Sequence, residues 1–470
     1  MTNIVKNVKF SLVTFISQIL TGSIVFIILA RVMSLFDFGL LSFGTTLGGL
    51  IAVLAEFGYS LMAQRDIPQN KFDLNEYVTN VVIQKLILSF ISLIGGGLYL
   101  LLSYKDGNLI IGFIFLIYAI ITSNVSYFLA VFRAKNLFIL ESKSSIIYLF
   151  FITISIACFF LFNLSVYYVS AGLLISRFMQ LLVLLYNYVR NFGTVGLKFK
   201  KNIQNYLLKN VSSFGFFYII GVFYFSIDSQ LIAYYSGNEQ LALYQAFFKL
   251  VTLMLVFNEL LVNVFLPYLS SLFVEKGIHY LGVATNINRI FIFAALAMFV
   301  FINLFAGDIV SLVYTEKYAE SLVLTIPLSL VLLFRVSSST YAISLTISNH
   351  QTYRLLIVLI SLIINLTLNL IFIPIYGFLG AAYVSLITHI VLLVLYGFFN
   401  YKFIGSLFID WKALIITLIT IIIVLLKYLM NINISILGSI MTMLLWIVFV
   451  CLNYYDKEQI KGFLKLFRAS

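Results

Sequence analysis

The chain has 470 residues, of which 62% are hydrophobic and 17% aromatic but only 10% charged, where a soluble domain carries about 25% charged residues. With a mean hydropathy of +1.09, the apolar residues cannot all be hidden in one core beneath a polar surface, which excludes an ordinary soluble enzyme and makes lipid the solvent. The net charge of +12 is carried by residues dispersed singly between apolar blocks, so no nucleic acid is expected as a partner.

A membrane-spanning helix needs about 20 mainly apolar residues. Such blocks run from Phe10 to Val32, Phe38 to Ala63, Val81 to Tyr104, Leu109 to Phe132, Ser145 to Asn163 and Val166 to Tyr188. After the polar, basic stretch Arg190 to Asn210 follow Val211 to Tyr235, Leu241 to Leu272, Ile287 to Phe305, Ser321 to Ile347, Leu355 to Ile373, Phe378 to Phe399, Lys412 to Leu429 and Ile434 to Tyr454. These blocks predict an all-α polytopic membrane protein of about fourteen helices. The expected organisation is a six-helix lobe over 1–189, a basic cytoplasmic connector over 190–210, a second six-helix lobe over 211–400, and two further helices with a basic tail over 401–470. The opening MTNIVKNVKF enters the first block without a small-residue cleavage site, so it reads as a retained first helix rather than a signal peptide. Cys158 and Cys451 both lie inside apolar stretches and read as small buried hydrophobes, not as a disulfide or a metal site.

Charge tests the topology independently, because Lys and Arg in short loops favour the cytoplasm. With the N-terminus inside, 22 of the 29 Lys and Arg residues, among them Lys6, Lys9, Arg65, Lys71, Lys85 and Arg354, fall on cytoplasmic loops or helix ends. Arg31, Lys105, Lys317 and Lys427 fall outside, and Arg177, Lys249 and Arg335 lie within helices. The split predicts both termini inside. Every loop is too short for a soluble catalytic domain, which needs roughly 50 residues.

The halves also repeat weakly. Leu29, Ala30, Phe38 and Leu40 superpose on Ile232, Ala233, Leu241 and Leu243 at a constant offset of 203, and Ala171 and Tyr186 on Ala381 and Tyr396 at an offset of 210. Six helices per repeat is an even number, so the halves would share one orientation about an axis along the membrane normal, leaving a cleft between two bundles, as in a transporter.

Ionisable side chains at membrane depth cost about 2.5–3.5 kcal/mol on insertion scales, so they face a polar cavity or a partner. Here they are Glu56, Arg177, Asp228, Lys249, Glu259, Arg335 and, less deeply, His389. Arg177 and Arg335 sit mid-helix, where snorkelling would need about 15 Å of reach. Three cations facing one cleft would attract an anion, and the planar fork of Arg suits phosphate. Glu56, Asp228 and Glu259 are candidates to balance this charge or to bind a coupling proton or Na⁺. Lys249 and Glu259 lie about 15 Å apart along one helix, too far to pair. Gly44 and Gly48 form a GxxxG spacing, and Gly95, Gly96 and Gly97 punctuate the third block; close packing is the expected role. No HExxH, P-loop, GxSxG, CxxC or nucleotide fingerprint occurs, so neither metal, cofactor nor hydrolytic chemistry is expected.

Several short motifs resemble those of a known family. Leu29-Ala30-Arg31-Val32-Met33 leading to Phe38-Gly39-Leu40, then Glu56-Phe57-Gly58-Tyr59-Ser60 leading to Arg65, look like the opening of bacterial polysaccharide transporters of the O-antigen flippase type. Ile227-Asp228-Ser229-Gln230-Leu231 and Leu243-Tyr244-Gln245-Ala246 look like the segment after that family's central loop, with Ala242 where the family has Gly. Glu316-Lys317-Tyr318-Ala319 and Ile373-Pro374-Ile375-Tyr376-Gly377-Phe378-Leu379-Gly380-Ala381-Ala382 are similar to two further landmarks, the last the most specific. The superfamily also holds multidrug and toxin exporters and peptidoglycan-precursor flippases.

The resemblance implies a two-lobed, V-shaped bundle in the bacterial inner membrane that moves an undecaprenyl-diphosphate-linked oligosaccharide outward by alternating access. A polysaccharide polymerase and a chain-length regulator are the implied partners, with the bilayer itself. Arg65 and Asp228 match family positions, whereas Arg177, Lys249 and Arg335 rest on intramembrane charge alone. The expected cationic substrate path is thus Arg177, Lys249, Arg335 and Arg65, with Asp228, Glu56 and Glu259 as ion-coupling candidates. An ion-coupled exporter of cationic drugs and a non-transporting scaffold of a polysaccharide assembly complex are the alternatives.

Overall fold

The computed structural model describes residues 10, 13, 14, 16, 17, 20–194, 196, 199–274, 278–406, 408, 411–430, 432 and 435–454. Lys6, Lys9 and the basic tail after Tyr454 lie outside the described residues, as does half of the first predicted block before Leu20. All regular elements among the described residues are helical.

The helices follow in chain order as α1 (Leu20–Val32), α2 (Leu35–Glu56), α3 (Tyr59–Asp66), α4 (Leu74–Ser103), α5 (Asp106–Ala134), α6 (Phe138–Phe162), α7 (Val166–Phe192) and α8 (Lys201–Tyr235). They continue as α9 (Asn238–Val274), α10 (Ile278–Ile309), α11 (Thr325–Ser337), α12 (Ser339–Ile347), α13 (Gln351–Ile404), α14 (Trp411–Leu429) and α15 (Ile436–Tyr454). A π turn, Val310–Tyr314, and a 3-10 segment, Glu316–Leu324, join α10 to α11. Among the described residues, eleven segments are long and apolar enough to cross a membrane, and Leu20–Val32 and Ile436–Val450 are shorter apolar helices. One of the eleven, α13, has 54 residues, a length of about 80 Å where a bilayer core is about 30 Å thick. It is broken at Gly377 (φ +59°, ψ −142°) and so supplies two spans, which accounts for all fourteen predicted blocks.

The chain divides into two compact units, Met1–Gln245 with Ile373–Phe378, and Ala246–Phe372 with Leu379–Ser470. In the first unit α2 and α5 pack through the expected small residues. A Cβ on Gly44 would strike Phe115 and Ile111 of α5, and one on Gly48 would lie 3.3 Å from the Phe115 carbonyl oxygen. Ser34 caps α2 reciprocally: its hydroxyl accepts from the Asp37 amide at 3.0 Å and donates to the Asp37 carboxylate at 2.8 Å. The second predicted block is not one helix, because Phe57 (φ +45°) and Gly58 (φ +79°) turn the chain in left-handed conformations between α2 and α3. Gly58 is required here twice over, since a side chain would strain the backbone and would meet the Phe214 backbone of α8 at 2.7 Å.

The stretch read as a basic connector, 190–210, is largely helix, with α7 ending at Phe192 and α8 starting at Lys201. The spacing of Ile203, Leu207 and Val211 puts all three on one face of α8, and they are buried in a core with Tyr59 and Met62 of α3, Val78 and Val81 of α4, Phe128 of α5 and Leu184 of α7.

In the second unit the last two helices dock on α10. Lys427 of α14 donates to the Asn303 carbonyl at 2.7 Å, Trp446 of α15 donates to Thr420 of α14 at 3.2 Å, and its indole stacks on Phe293 of α10. Asn303 also donates to Ser329 of α11 at 2.9 Å, so one polar residue ties three helices where lipid supplies no hydrogen bonds.

Candidate functional site

Glu56, read from sequence as a coupling candidate, is the last residue of α2 and carries the α2–α3 corner. Its Oε1 accepts the Ser60 amide of α3 at 2.6 Å, and its Oε2 accepts from Lys85 of α4 and from the Ser123 hydroxyl of α5 at 3.3 Å. Lys85 also donates to that hydroxyl at 2.6 Å and faces the Tyr127 ring at 5.7 Å. The expectation that Lys85 sits at a cytoplasmic helix end is therefore corrected: its side chain is 1% exposed. Hydropathy placed the start of this helix at Val81, but Asp73 caps it by accepting the Glu76 amide at 3.1 Å, so Lys85 lies three turns in. The spacing Asp73 to Glu76 is a helix-start signature legible in the sequence.

The corner continues into a polar chain toward α8. The Tyr59 hydroxyl donates to Gln84, whose amide nitrogen donates to Gln204 at 2.5 Å, and Gln204 donates to Asn80 at 3.0 Å. Burial, followed by the nearby Glu56 carboxylate, pushes the Tyr59 phenol up from its usual pKa.

Arg65, at the end of α3, donates from Nε to Asp66 at 2.7 Å and from Nη2 to the Tyr206 hydroxyl of α8 at 3.4 Å. Its guanidinium lies 4.9 Å above the Phe214 ring. The hydrogen bond to Asp66 holds its pKa above the ordinary arginine value.

Arg177 on α7 is enclosed by tyrosines. Its Cζ is 3.9 Å from the centroid of the Tyr148 ring on α6, and Nε and Nη2 reach the Tyr118 hydroxyl of α5 at 3.4 and 3.0 Å. Nη1 donates to Gln180 at 2.8 Å, and the two phenol oxygens are 3.3 Å apart. No carboxylate pairs with this guanidinium among the salt bridges of the described residues, so its charge is held by π faces and neutral dipoles. The two tyrosines were not identifiable among 30 in the sequence, because only the three-helix packing brings them together.

Asp228 on α8 is 5% exposed and accepts from the Tyr244 hydroxyl at 3.4 Å. Beside it Gln245 donates to Ser229 at 2.5 Å, and Gln230 donates to Thr46 of α2 at 2.7 Å. The first unit thus holds Glu56, Arg65, Arg177 and Asp228, on α2, α3, α7 and α8 respectively.

The second unit holds Lys249, Glu259 and Arg335. Lys249 and Arg335 are half-buried, and Glu259 is exposed. Arg335 acts electrostatically on His389 and Tyr396 of α13, and Tyr396 is also hydrogen-bonded by Arg354, a residue that the sequence places on a cytoplasmic loop or helix end. His389 is 5% exposed, with Nδ1 2.8 Å from the Ser385 carbonyl oxygen. No group of three or more His, Cys, Asp or Glu able to hold a metal occurs among the described residues.

Residues 4–273 match the model of the family described as polysaccharide biosynthesis protein. Among solved structures, the lipid II flippase MurJ in an inward closed conformation superposes with a TM-score of 0.75 at 16% identity, covering 94% of this chain and 99% of that chain. An inward-facing multidrug resistance MATE family transporter of the MOP superfamily superposes with a TM-score of 0.68 at 15% identity, covering 83% of this chain and 95% of that one. A MOP superfamily transporter from Pyrococcus furiosus, described by a binding pocket of reverse polarity, gives 0.57 at 15% identity over 87% and 96%. These likenesses establish a shared exporter fold. No curated protein matches the chain.

Proposed function

Because the chain belongs to the polysaccharide biosynthesis protein family and has the exporter fold, we propose that it is a flippase for undecaprenyl-diphosphate-linked oligosaccharide repeat units of O-antigen, capsule or exopolysaccharide in the bacterial inner membrane. The observation that carries this reading is Arg177, a half-buried guanidinium held in the first unit by Tyr118, Tyr148 and Gln180 rather than by a carboxylate. A cation neutralised by its own protein would have little pull on a diphosphate, whereas one held by π faces and dipoles keeps its charge for a ligand. Arg335 and Lys249 in the second unit are further candidate cations for the substrate, as is Arg65 in the first, although Asp66 already pairs with its Nε. Aromatic residues suit sugar faces, and the polyprenyl tail remains in lipid.

Alternating access carries the cargo outward, and the cargo must bind the two conformations with different affinity, since equal affinity shifts no equilibrium. Coupling to a proton or Na⁺ is assigned to Asp228, a buried carboxylate on α8 that accepts from the Tyr244 hydroxyl. Glu56 is committed to Lys85, and Glu259 is exposed. A polysaccharide polymerase and a chain-length regulator are the partners this role calls for. The likeness to a MATE transporter supports a second reading, an ion-coupled drug exporter, in which carboxylates rather than Arg177 would carry the binding.

The test is complementation. The chain is expressed in bacteria lacking their own polysaccharide flippase, supplied with a matching repeat unit, alongside Arg177→Ala and Arg335→Ala at matched protein level. Surface polymer restored by the parent and lost in both variants is expected. Polymer absent despite correct insertion would remove the flippase reading, and variants that lose protein level instead of transport would point to a scaffold.

A further inference from the structure

We propose that Arg65, Lys71 and Tyr206 form a binding site for a phosphoryl group at one end of the first unit. Arg65 Nη2 and Lys71 Nζ each lie 3.4 Å from the same oxygen, the Tyr206 hydroxyl. The two nitrogens are therefore no more than 6.8 Å apart, a span that two charge-assisted bonds of about 2.8 Å can cover across one phosphoryl group. The convergence brings two cationic side chains onto one hydroxyl, with a single carboxylate, Asp66, on the far edge of Arg65.

The nearest carboxylate pairs with one edge of Arg65 and makes no ion pair with Lys71 among the described residues. Asp66, whose side chain is 1% exposed, takes Arg65 Nε at 2.7 Å on one oxygen and the Tyr77 hydroxyl at 3.3 Å on the other. Asp66 thus orients the guanidinium, while Phe214 lies beneath it at 4.9 Å. Among the described residues Arg65 Nη1 makes no hydrogen bond and Lys71 makes no ion pair. The platform is rigid, because the Tyr206 ring is held edge-on by Phe72 at 5.1 Å and that ring stacks on Tyr77 at 6.3 Å. Lys71 is exposed and Arg65 and Tyr206 are half-open to the surface, so a phosphate can arrive from outside the fold. This is the side that the charge distribution assigns to the cytoplasm.

The ligand is a phosphoryl group on a lipid headgroup or a soluble or lipid-linked diphosphate. The full chain in phosphatidylcholine nanodiscs is titrated with inorganic pyrophosphate by calorimetry at fixed ionic strength. Saturable binding is expected, weakened at least tenfold by Lys71→Gln and by Arg65→Gln and several-fold by Tyr206→Phe, which keeps the packed ring. Lys143→Gln, an exposed lysine on α6, should bind as the parent does. Nanodiscs containing phosphatidylglycerol separate the sources. Weaker pyrophosphate binding there in the parent but not in Lys71→Gln assigns the site to lipid headgroups, and equal affinity in both nanodiscs assigns it to a diphosphate. Absence of saturable binding, or equal affinity in the Lys71, Arg65 and Lys143 variants, overturns the proposal. The readout is binding alone, so it stands or falls separately from surface polymer in the complementation assay.

Discussion

Lys85 of α4 and Glu56 of α2 form an ion pair in which neither side chain exposes more than 4% of its surface. The carboxylate at the same time caps α3 through the Ser60 amide, so one residue sets both the corner and the packing of three helices.

Removing one partner of a buried pair leaves an uncompensated charge and costs about 3–5 kcal/mol, whereas replacing both with apolar or neutral groups is often close to neutral. Lys85→Met is therefore expected to lower the unfolding temperature of the detergent-purified protein markedly, and Glu56→Gln combined with Lys85→Met to recover most of the loss. Unfolding of Lys85→Met at the parent temperature would show that the pair does not hold the corner.

The Arg177 cage makes a prediction that separates ring from hydroxyl. Tyr148→Phe keeps the π face 3.9 Å from the guanidinium and should transport within about twofold of the parent. Tyr148→Leu removes it, and a desolvated cation–π contact of about 2 kcal/mol corresponds to a roughly thirtyfold loss. Surface polymer at matched expression measures both, and equal activity in the two variants would remove the ring from the argument.

At the break in α13 the Phe378 amide donates to Gln240 Oε1 at 3.2 Å, and a Cβ on Gly377 would strike that same oxygen. Gly377→Ala is expected to destabilise by about 1–3 kcal/mol through its left-handed backbone, with the clash adding to it. Gln240→Ala strands the amide, at about 1–3 kcal/mol. The double variant should lose less than the sum, because removing the glutamine relieves the clash. Strict additivity in thermal unfolding would show that the two residues do not meet.

Two helical glycines of similar appearance in sequence should behave oppositely. Gly44→Ala collides with Phe115 and Ile111 and is expected to cost about 1–3 kcal/mol as overpacking. Gly95→Ala meets nothing within 4 Å and should be neutral or gain up to about 1 kcal/mol from helix propensity. Thermal unfolding of the two single variants decides it.

The helical blocks were legible because lipid demands long apolar runs, but their ends moved and the second block broke at Phe57 and Gly58. Val81 gave way to Leu74 as the start of α4 because a polar first turn capped by Asp73 has no hydropathy signal. Ile203 and Leu207 were overlooked as core because the lysines of the amphipathic start of α8 dominate its composition. Charge at depth marked Glu56 and Arg177, yet it could not show that one has a lysine for a partner and the other two tyrosines. Partners on other helices are set by helix rotation and crossing, which a single sequence with a dispersed aromatic content does not reveal.

The six residues Ile373–Phe378 belong to the first unit although the chain on both sides of them belongs to the second. The backbone consequently passes from one unit to the other three times. Severing the polypeptide after Gln245 would yield two unequal fragments: the later one contains the whole second unit, but the earlier one lacks a segment of its own unit that the later one carries. Co-expressed halves would regain function only by fragment complementation, with the Ile373–Phe378 segment of the later piece taking its place against Gln240 of the earlier one.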